Sequence, residues 1–275
     1  MKSQTNAKKV AVKLSAIDIY SQTFCILRET PAILFLFTLL AVFDFAALTI
    51  LFFSHSEPIS LLVAPIIRSF WGSRFLHYPD NFLLLPKLFN YAHLVILSTF
   101  GILFTGIIIN KIKDETEGKS NSILSLIKPV LKCFFPLLII WAITYFVYSL
   151  IVKKILPYFP PQPILQLTCG YILGVLVQAI SVYFIPAILI LEKGFFSKLK
   201  AGLVFGFSHL GLTISIVGIP TFFIVLTSAA KILTPYFVSF HPEIVLIVLS
   251  VGIVVSVMVD MFITTATTLL FLKER

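Results

Sequence analysis

Hydrophobic residues run along this chain in six long, nearly unbroken stretches, at residues 31–53, 91–110, 133–151, 165–191, 209–230 and 244–272. Each is long enough to cross a hydrocarbon core, which takes roughly twenty helical residues. The Leu, Ile, Val and Phe runs show no period of two, so the pattern predicts helices rather than barrel strands. Lipid offers the backbone no hydrogen-bond partner, and a helix satisfies its own groups. The last stretch exceeds what a bilayer needs and is expected to tilt or to emerge into the cytoplasm. The expected fold is an all-α, polytopic bundle of six spans, one integral membrane domain over residues 1–275. Within it, residues 1–30 are a cytoplasmic tail and amphipathic helix, 31–272 the bundle and 273–275 a short tail.

Between the spans the pattern changes. Residues 14–28, 122–132 and 195–206 are short, half-apolar and basic, and each leads directly into span one, three or five. The chain therefore reads as three units, each an amphipathic elbow helix followed by a helical hairpin, with the elbows lying at the cytoplasmic interface. Repeated units of this kind pack around a pseudo-axis with any cavity between them. The plainer alternative is that all even-numbered multispan proteins need basic connectors. Residues 54–90, broken by Pro58, Pro65, Pro79 and Pro86, carry Trp71, Phe75 and Tyr78, residue types suited to the water–lipid boundary. An interfacial flap is the preferred reading of this segment, with a re-entrant loop as the alternative.

Composition agrees with lipid as the solvent: 59% hydrophobic and 12% charged residues, with a mean hydropathy of +1.04. A soluble domain has about a quarter charged residues. The net charge of +9 is spread over short gaps between apolar runs, which argues against a nucleic-acid partner. Fifteen of the 21 basic residues fall on one side: Lys2, Lys8, Lys9, Lys13, Arg28, the lysines of 111–132 and 192–200, Lys273 and Arg275. The other side holds six: Arg68, Arg74, Lys87, Lys153, Lys154 and Lys231. Basic residues are retained in the cytoplasm, so both termini are expected there. The first apolar run starts after about thirty residues and lacks a small-residue cleavage site, so it is expected to stay in the mature protein. Cys25, Cys133 and Cys169 are far apart and read as packing residues, not a disulfide framework.

The run 184–208, Phe-Ile-Pro-Ala-Ile-Leu-Ile-Leu-Glu-Lys-Gly through to Phe-Ser, resembles a prokaryotic group of six-span proteins. That group includes the membrane domain of glycerophosphoryl diester phosphodiesterases. Pro186, Glu192, Gly194 and Ser208 occupy the places of its recurring Pro, acidic residue, Gly and following amphipathic helix. The segment Glu29-Thr-Pro31 and the ending from Thr264 are also similar. The resemblance implies the six-span fold. In the phosphodiesterases catalysis resides in a separate soluble barrel, for which this chain has no room, so hydrolase activity is not implied.

Two carboxylates lie within apolar runs. Asp44 is thirteen residues past Pro31 and Asp260 thirteen before Lys273, so each sits roughly 20 Å from its cytoplasmic marker. Intramembrane carboxylates mark proton or cation sites by default. Ser256, Asp260, Thr264 and Thr267 or Thr268 form one stripe on span six; Tyr171, Gly174, Gln178 and Ser181 form one on span four. The stripes are expected to face other helices, either around a cavity or as interhelical hydrogen-bonding glue. Glu192 is expected to fix the corner before span five, and Pro186 and Pro220 to kink their spans. Gly170/Gly174 and Gly202/Gly206 have the spacing that permits close helix approach. The acidic cluster 114–117 reads as solvated loop.

The histidines form no H-x-x-x-H pair, and the chain lacks a phosphate loop and a G-x-S-x-G elbow. Neither enzymatic activity nor a cofactor or metal is therefore expected. The expected role is transport-related or in membrane homeostasis: binding or passing a small solute, ion or lipid through a cavity lined by Asp44, Gln178, Asp260 and Thr264. A structural or regulatory subunit of a membrane complex is the alternative. Anionic lipid head groups, and a membrane-protein partner or second copy, are the expected partners, in a prokaryotic cytoplasmic membrane.

Overall fold

The computed structural model describes residues 15–119 and 121–274, except for the side chains of Phe70, Trp71 and Leu76. Lys2, Lys8, Lys9, Lys13 and Arg275, the start of the first amphipathic segment at Leu14, and the side chain of Trp71 lie outside the described residues. Among those described the chain is helical, with no strand.

The elements are α1 (Ala16–Glu29), α2 (Pro31–Phe52), α3 (Ile59–Trp71), α4 (Asp80–Ile96), α5 (Ile102–Thr116), α6 (Ile123–Lys132) and α7 (Phe134–Ile155). There follow α8 (Pro163–Ser181), α9 (Phe184–Ile190), α10 (Phe195–Ser208), α11 (Leu210–Ile232), α12 (Thr234–Phe240) and α13 (Glu243–Glu274). Six helical stretches are long and apolar enough to cross a membrane: Pro31–His55, Asp80–Thr116, Phe134–Tyr158, Pro163–Ile190, Leu210–Ile232 and Glu243–Glu274.

The three short helices before spans one, three and five are each separated from the span they precede by a single residue. Thr30 sits at φ −116°, ψ 79°, away from helical geometry, because Pro31 disfavours the α region for the residue before it. Cys133 and His209 take the same place before α7 and α11. Local caps define the starts. The Ser15 hydroxyl accepts from the Asp18 N–H at 3.2 Å, while the Asp18 carboxylate accepts from the Ser15 N–H at 3.0 Å, a reciprocal capping box. The side-chain bond from Ser15, then the backbone bond from the same residue, hold the Asp18 carboxyl below its ordinary range.

Packing repeats three times. Span two (α4 and α5) and span six (α13) pack together through α5, which also packs on α9 of span four. Ile109, Tyr183, Ala187, Ile190, Ala266, Leu270 and Phe271 of these three spans share one buried cluster. Each odd span fills a groove between two even ones: α2 between spans six and two, α7 between two and four, α11 between four and six. Each short helix docks on the even span before it in this cycle: α6 on α5, α10 on α9 and α8, and α1 on α13. Thus α1, first in sequence, closes a ring against the last helix. Tyr20 and Phe24 each lie 5.2 Å from Phe262, and the Lys273 ammonium donates to Gln22. The resemblance of the three connectors is therefore one of packing role as well as charge.

Glycines permit two of these dockings. A Cβ at Gly106 of α5 would stand 2.6 Å from Val130 of α6. One at Gly206 of α10 would stand 2.8 Å from the Ile180 carbonyl oxygen, and one at Gly202 3.0 Å from that of Tyr183. The Gly202/Gly206 spacing thus does what it predicts. The Gly170/Gly174 pair does not: nothing lies within 4 Å of a Cβ at Gly170, and one at Gly174 would meet the Tyr148 ring at 3.4 Å.

Two expectations need correction, and the outer segment takes a definite form. Span two begins at Asp80 rather than residue 91, since Pro86 is accommodated within α4 and Pro65 within α3; prolines inside membrane helices are tolerated where neighbours compensate. The outer segment is an amphipathic helix, α3, packed on the end of α2 and on the turn that holds buried Phe75. Asp114 is not solvated: α5 continues to Thr116, and Asn121 Nδ2 donates to the Asp114 carboxylate at 2.9 Å.

Gly206→Ala is expected to lower the thermal unfolding temperature of the detergent-solubilised protein, because the blocking atom is backbone and cannot rotate away. Gly211→Ala, where a Cβ meets nothing within 4 Å, is the control and should leave it unchanged or raise it.

Candidate intramembrane cavity

Span four is not continuous. The ring of Pro186 lacks an N–H and crowds the carbonyl four residues earlier, and α8 accordingly ends at Ser181, with Val182 and Tyr183 forming a turn before α9. The Tyr183 hydroxyl shares a 2.7 Å hydrogen bond with Thr213 of α11, and its ring packs on Phe205 and Phe271. Span two also departs from α geometry, in a single π turn at Leu97–Gly101. Such turns recur at functional sites. In span five, Tyr20 and Tyr171 hydroxyls donate at 2.7 Å to the carbonyls of Ser215 and Gly218, in the turns that precede Pro220.

Both irregular turns border a cavity of about 240 Å³ between the hairpins. Its apolar wall comes from Phe37 and Leu40 of α2, Leu97, Ile140 and Ile185; its polar lining is Thr105, Thr144, Gln178, Ser181, Asp260, Thr264, Thr267 and Thr268, with Pro186 alongside. Several lining hydroxyls are committed to their own helices. Ser181 donates to Val177, Thr267 to Ile263 and Thr268 to Thr264. Among the described residues, Thr105, Thr144, Gln178, Asp260 and Thr264 have no protein hydrogen-bond partner for their side chains. All five are half-buried, and their polar atoms open onto the space, where a water molecule could bond them.

A second, wider crevice of about 600 Å³ lies among α7, α8 and α11. Tyr145, Tyr148, Gln166, Tyr171, Gly174, Thr221 and Ser228 line it, with Leu156 and Leu167 at the end beside the loop joining spans three and four. The two spaces share Trp141, Thr144, Gln178 and Ser181. They therefore meet at mid-bundle, with the Gln178 amide at the junction and Asp260 on the inner side.

The polar stripes predicted for spans four and six do line these spaces, but two of the expected site residues do not. Ser256 is half-buried and lines neither. Asp44 is fully buried on α2 but outside the cavity, where it shares a 2.8 Å hydrogen bond with His93 Nδ1 of α4. Its other oxygen, Oδ2, is buried with no partner. Phe89 stacks on the His93 ring at 5.9 Å. Of Asp44, His93 and Asp260, only Asp260 lines the void. His93 escapes a sequence reading that starts span two at residue 91, which places it at a helix end. Counting from Asp80 puts it thirteen residues inside.

Of the motif residues, Pro186 shapes the cavity. Glu192 is exposed and makes no ion pair among the described residues; the corner it was expected to fix is held instead by Lys198, whose ammonium donates to the Ile188 carbonyl at 2.7 Å. Gly194 is the exposed N-cap of α10, and Ser208 caps its end by donating to Phe205 at 3.0 Å. No protein-family model, curated protein or solved structure matches this chain.

His93→Ala is expected to destabilise the protein by about 3 kcal/mol or more, because it strands a buried carboxylate. The double variant Asp44→Leu/His93→Leu should recover most of that loss. Equilibrium unfolding in mixed micelles checks both, and a double variant as unstable as the single one contradicts the buried-pair account.

Proposed function

We propose that this chain is a multi-pass protein of a prokaryotic cytoplasmic membrane that binds or passes a small solute, ion or lipid through the space between its hairpins. The observation carrying the reading is the continuity of the outer crevice with the Asp260 cavity, through the shared Trp141, Thr144, Gln178 and Ser181. An amphipathic occupant suits the route, since aromatic and aliphatic walls alternate with isolated hydroxyl and amide groups, the usual composition of a ligand pocket. Both the broken turn of span four and the π turn of span two stand at its edge, and irregular backbone at membrane depth is tolerated where it lines a cavity. The six-span resemblance noted for 184–208 agrees with a membrane-embedded role without chemistry.

Orientation follows from the fifteen-to-six distribution of basic residues: both termini are cytoplasmic. α1, α6 and α10 are then elbow helices at the inner membrane surface. Ile17, Phe24, Leu124, Leu131, Phe196 and Phe207 are exposed on them, as apolar groups facing acyl chains would be. Arg28, Lys128, Lys132 and Lys200 are exposed too, within reach of anionic head groups. α3 lies along the opposite interface.

In a variant lacking the three native cysteines, Gln178→Cys and Thr264→Cys should react with a small, charged, membrane-impermeant thiol reagent added to proteoliposomes, and Ser181→Trp should slow that reaction at least tenfold. If neither cysteine is modified from either face while exposed Glu192→Cys is, the void is dry and sealed, and the non-transporting subunit reading takes its place.

Orientation is checked with Cys25. A hydrogen bond from its thiol to Glu29 at 3.2 Å, and then the Glu29 charge, push the thiol up, leaving less thiolate at neutral pH. Impermeant maleimide should label Cys25 only after cells are permeabilised, slowly in the native chain and faster in Glu29→Gln. Labelling of intact cells would reverse the orientation.

A further inference from the structure

We propose that the two joined spaces take a lipophilic organic cation, of the quaternary ammonium, phosphonium or protonated-amine class, with its charge at Asp260 and its apolar body against the aromatic wall of span three. The inference rests on the cavity reading and deepens it by naming the class of occupant.

Charge sets the sign. Among the described residues lining the two spaces, Asp260 is the one Asp, Glu, Lys, Arg or His. It takes part in none of the ion pairs among the described residues, which join Asp44 to His93, Lys111 to Glu115 and Lys119 to Glu117. An anion would bring a second negative charge to a space that offers no cation, in surroundings that screen like charges poorly. A cation pairs with the carboxylate. Where the carboxyl is protonated, its O–H bond breaks, the proton leaves to water in the crevice, and the arriving cation takes its place.

The walls select among cations. Trp141, Tyr145 and Tyr148 recur at helical spacing, so α7 turns one aromatic face to the crevice, and Tyr171 adds a ring from α8. The Trp141 and Tyr145 rings are stacked, with centroids 5.7 Å apart and planes 6° from parallel. Trp141 also lines the Asp260 cavity, so the aromatic wall and the carboxyl border one continuous space. Aromatic rings stabilise an organic cation that sheds its water cheaply. Across from them, Gln166, Gly170, Gly174 and Gln178 recur every four residues along α8. The Gly170/Gly174 spacing, which serves no helix approach, leaves width here. A Cβ at Gly170 would meet nothing within 4 Å, and one at Gly174 would narrow the gap to the Tyr148 ring. An inorganic cation is the rival occupant. It needs several strong ligands in place of its water, and among the described residues no group of three His, Cys, Asp or Glu side chains is arranged to hold one.

Equilibrium dialysis of tetraphenylphosphonium against the full chain in zwitterionic lipid nanodiscs, with empty discs as the blank, tests the class. The native chain should bind it saturably, while tetraphenylborate, an anion of the same shape, shows only the partitioning seen with empty discs. Asp260→Asn should weaken binding by about tenfold or more, Asp260→Glu should retain it, and Tyr148→Leu should weaken it about threefold. In a Trp71→Phe chain Trp141 is the sole tryptophan, and its emission should change along the same saturation curve. The tyrosine variant and the Trp141 signal decide the matter if Asp260→Asn does not fold. No saturable binding by the native chain, equal saturable binding of tetraphenylborate, full binding by folded Asp260→Asn, or displacement by sodium chloride where lithium chloride has no effect would overturn the proposal. Modification of the cavity cysteines together with no saturable binding would defeat the organic-cation class and leave the cavity reading standing, whereas sealed cysteines would defeat that reading itself.

Discussion

Hydrocarbon cannot hydrogen-bond, and the rest of this structure follows from that constraint. Every polar group carried into the bundle must find a partner in the chain or stand beside a void. Most find one close by. Thr23, Thr221, Thr265, Thr267 and Thr268 return their hydroxyls to carbonyls four residues back on their own helices. Tyr20, Tyr171 and Tyr183 reach across to α11. Among the described residues, Thr105, Thr144, Gln178, Asp260 and Thr264 do neither and line the cavity, while Asp44 Oδ2 is buried without a partner outside it.

The threefold packing explains why a void exists there. Three hairpins, each bridged to the next by a short helix, place their even spans centrally and their odd spans in the outer grooves. Were the three units equivalent, the centre would close uniformly. They are not: span six runs as one helix of 32 residues, span four breaks at Val182–Tyr183, and span two carries a π turn. At the end of the bundle that carries α1, α6 and α10, the buried cluster holding Tyr183, Phe205 and Phe271 closes the centre tightly. The break that admits Tyr183 into that cluster also turns Gln178 and Ser181 toward the cavity. Closure below and opening above are two consequences of the same proline.

How much of this was legible in the sequence depended on the range of the interaction concerned. The spans were readable because hydrophobic burial in lipid is a property of the local run. So were the short basic helices, whose caps and periodicity are local, and the facing stripes on spans four and six. Interactions between distant segments were not. The Asp44 partner lies on another span, and its position depends on a helix start that Pro79 and Pro86 disguise as loop. Glu192 looked like an anchor by charge alone, yet the carbonyl left at the end of α9 recruits Lys198 instead. Asp114, read as solvated from its acidic neighbours, is covered only because the following turn folds Asn121 back onto it. Sequence spacing puts Asp44 and Asp260 at similar depths, but depth does not tell which of them faces the void.

That distinction bears on whether the cavity is a packing fault or a working feature. Left dry, a space of about 240 Å³ forgoes packing contacts along its walls. The loss could be avoided with larger side chains at Thr105, Thr144 or Thr264, none of which is tied to a partner. Instead the chain keeps short polar groups there and seats a carboxyl among them. Occupation by water or a polar solute offsets the cost in a way that apolar filling would not require of these residues.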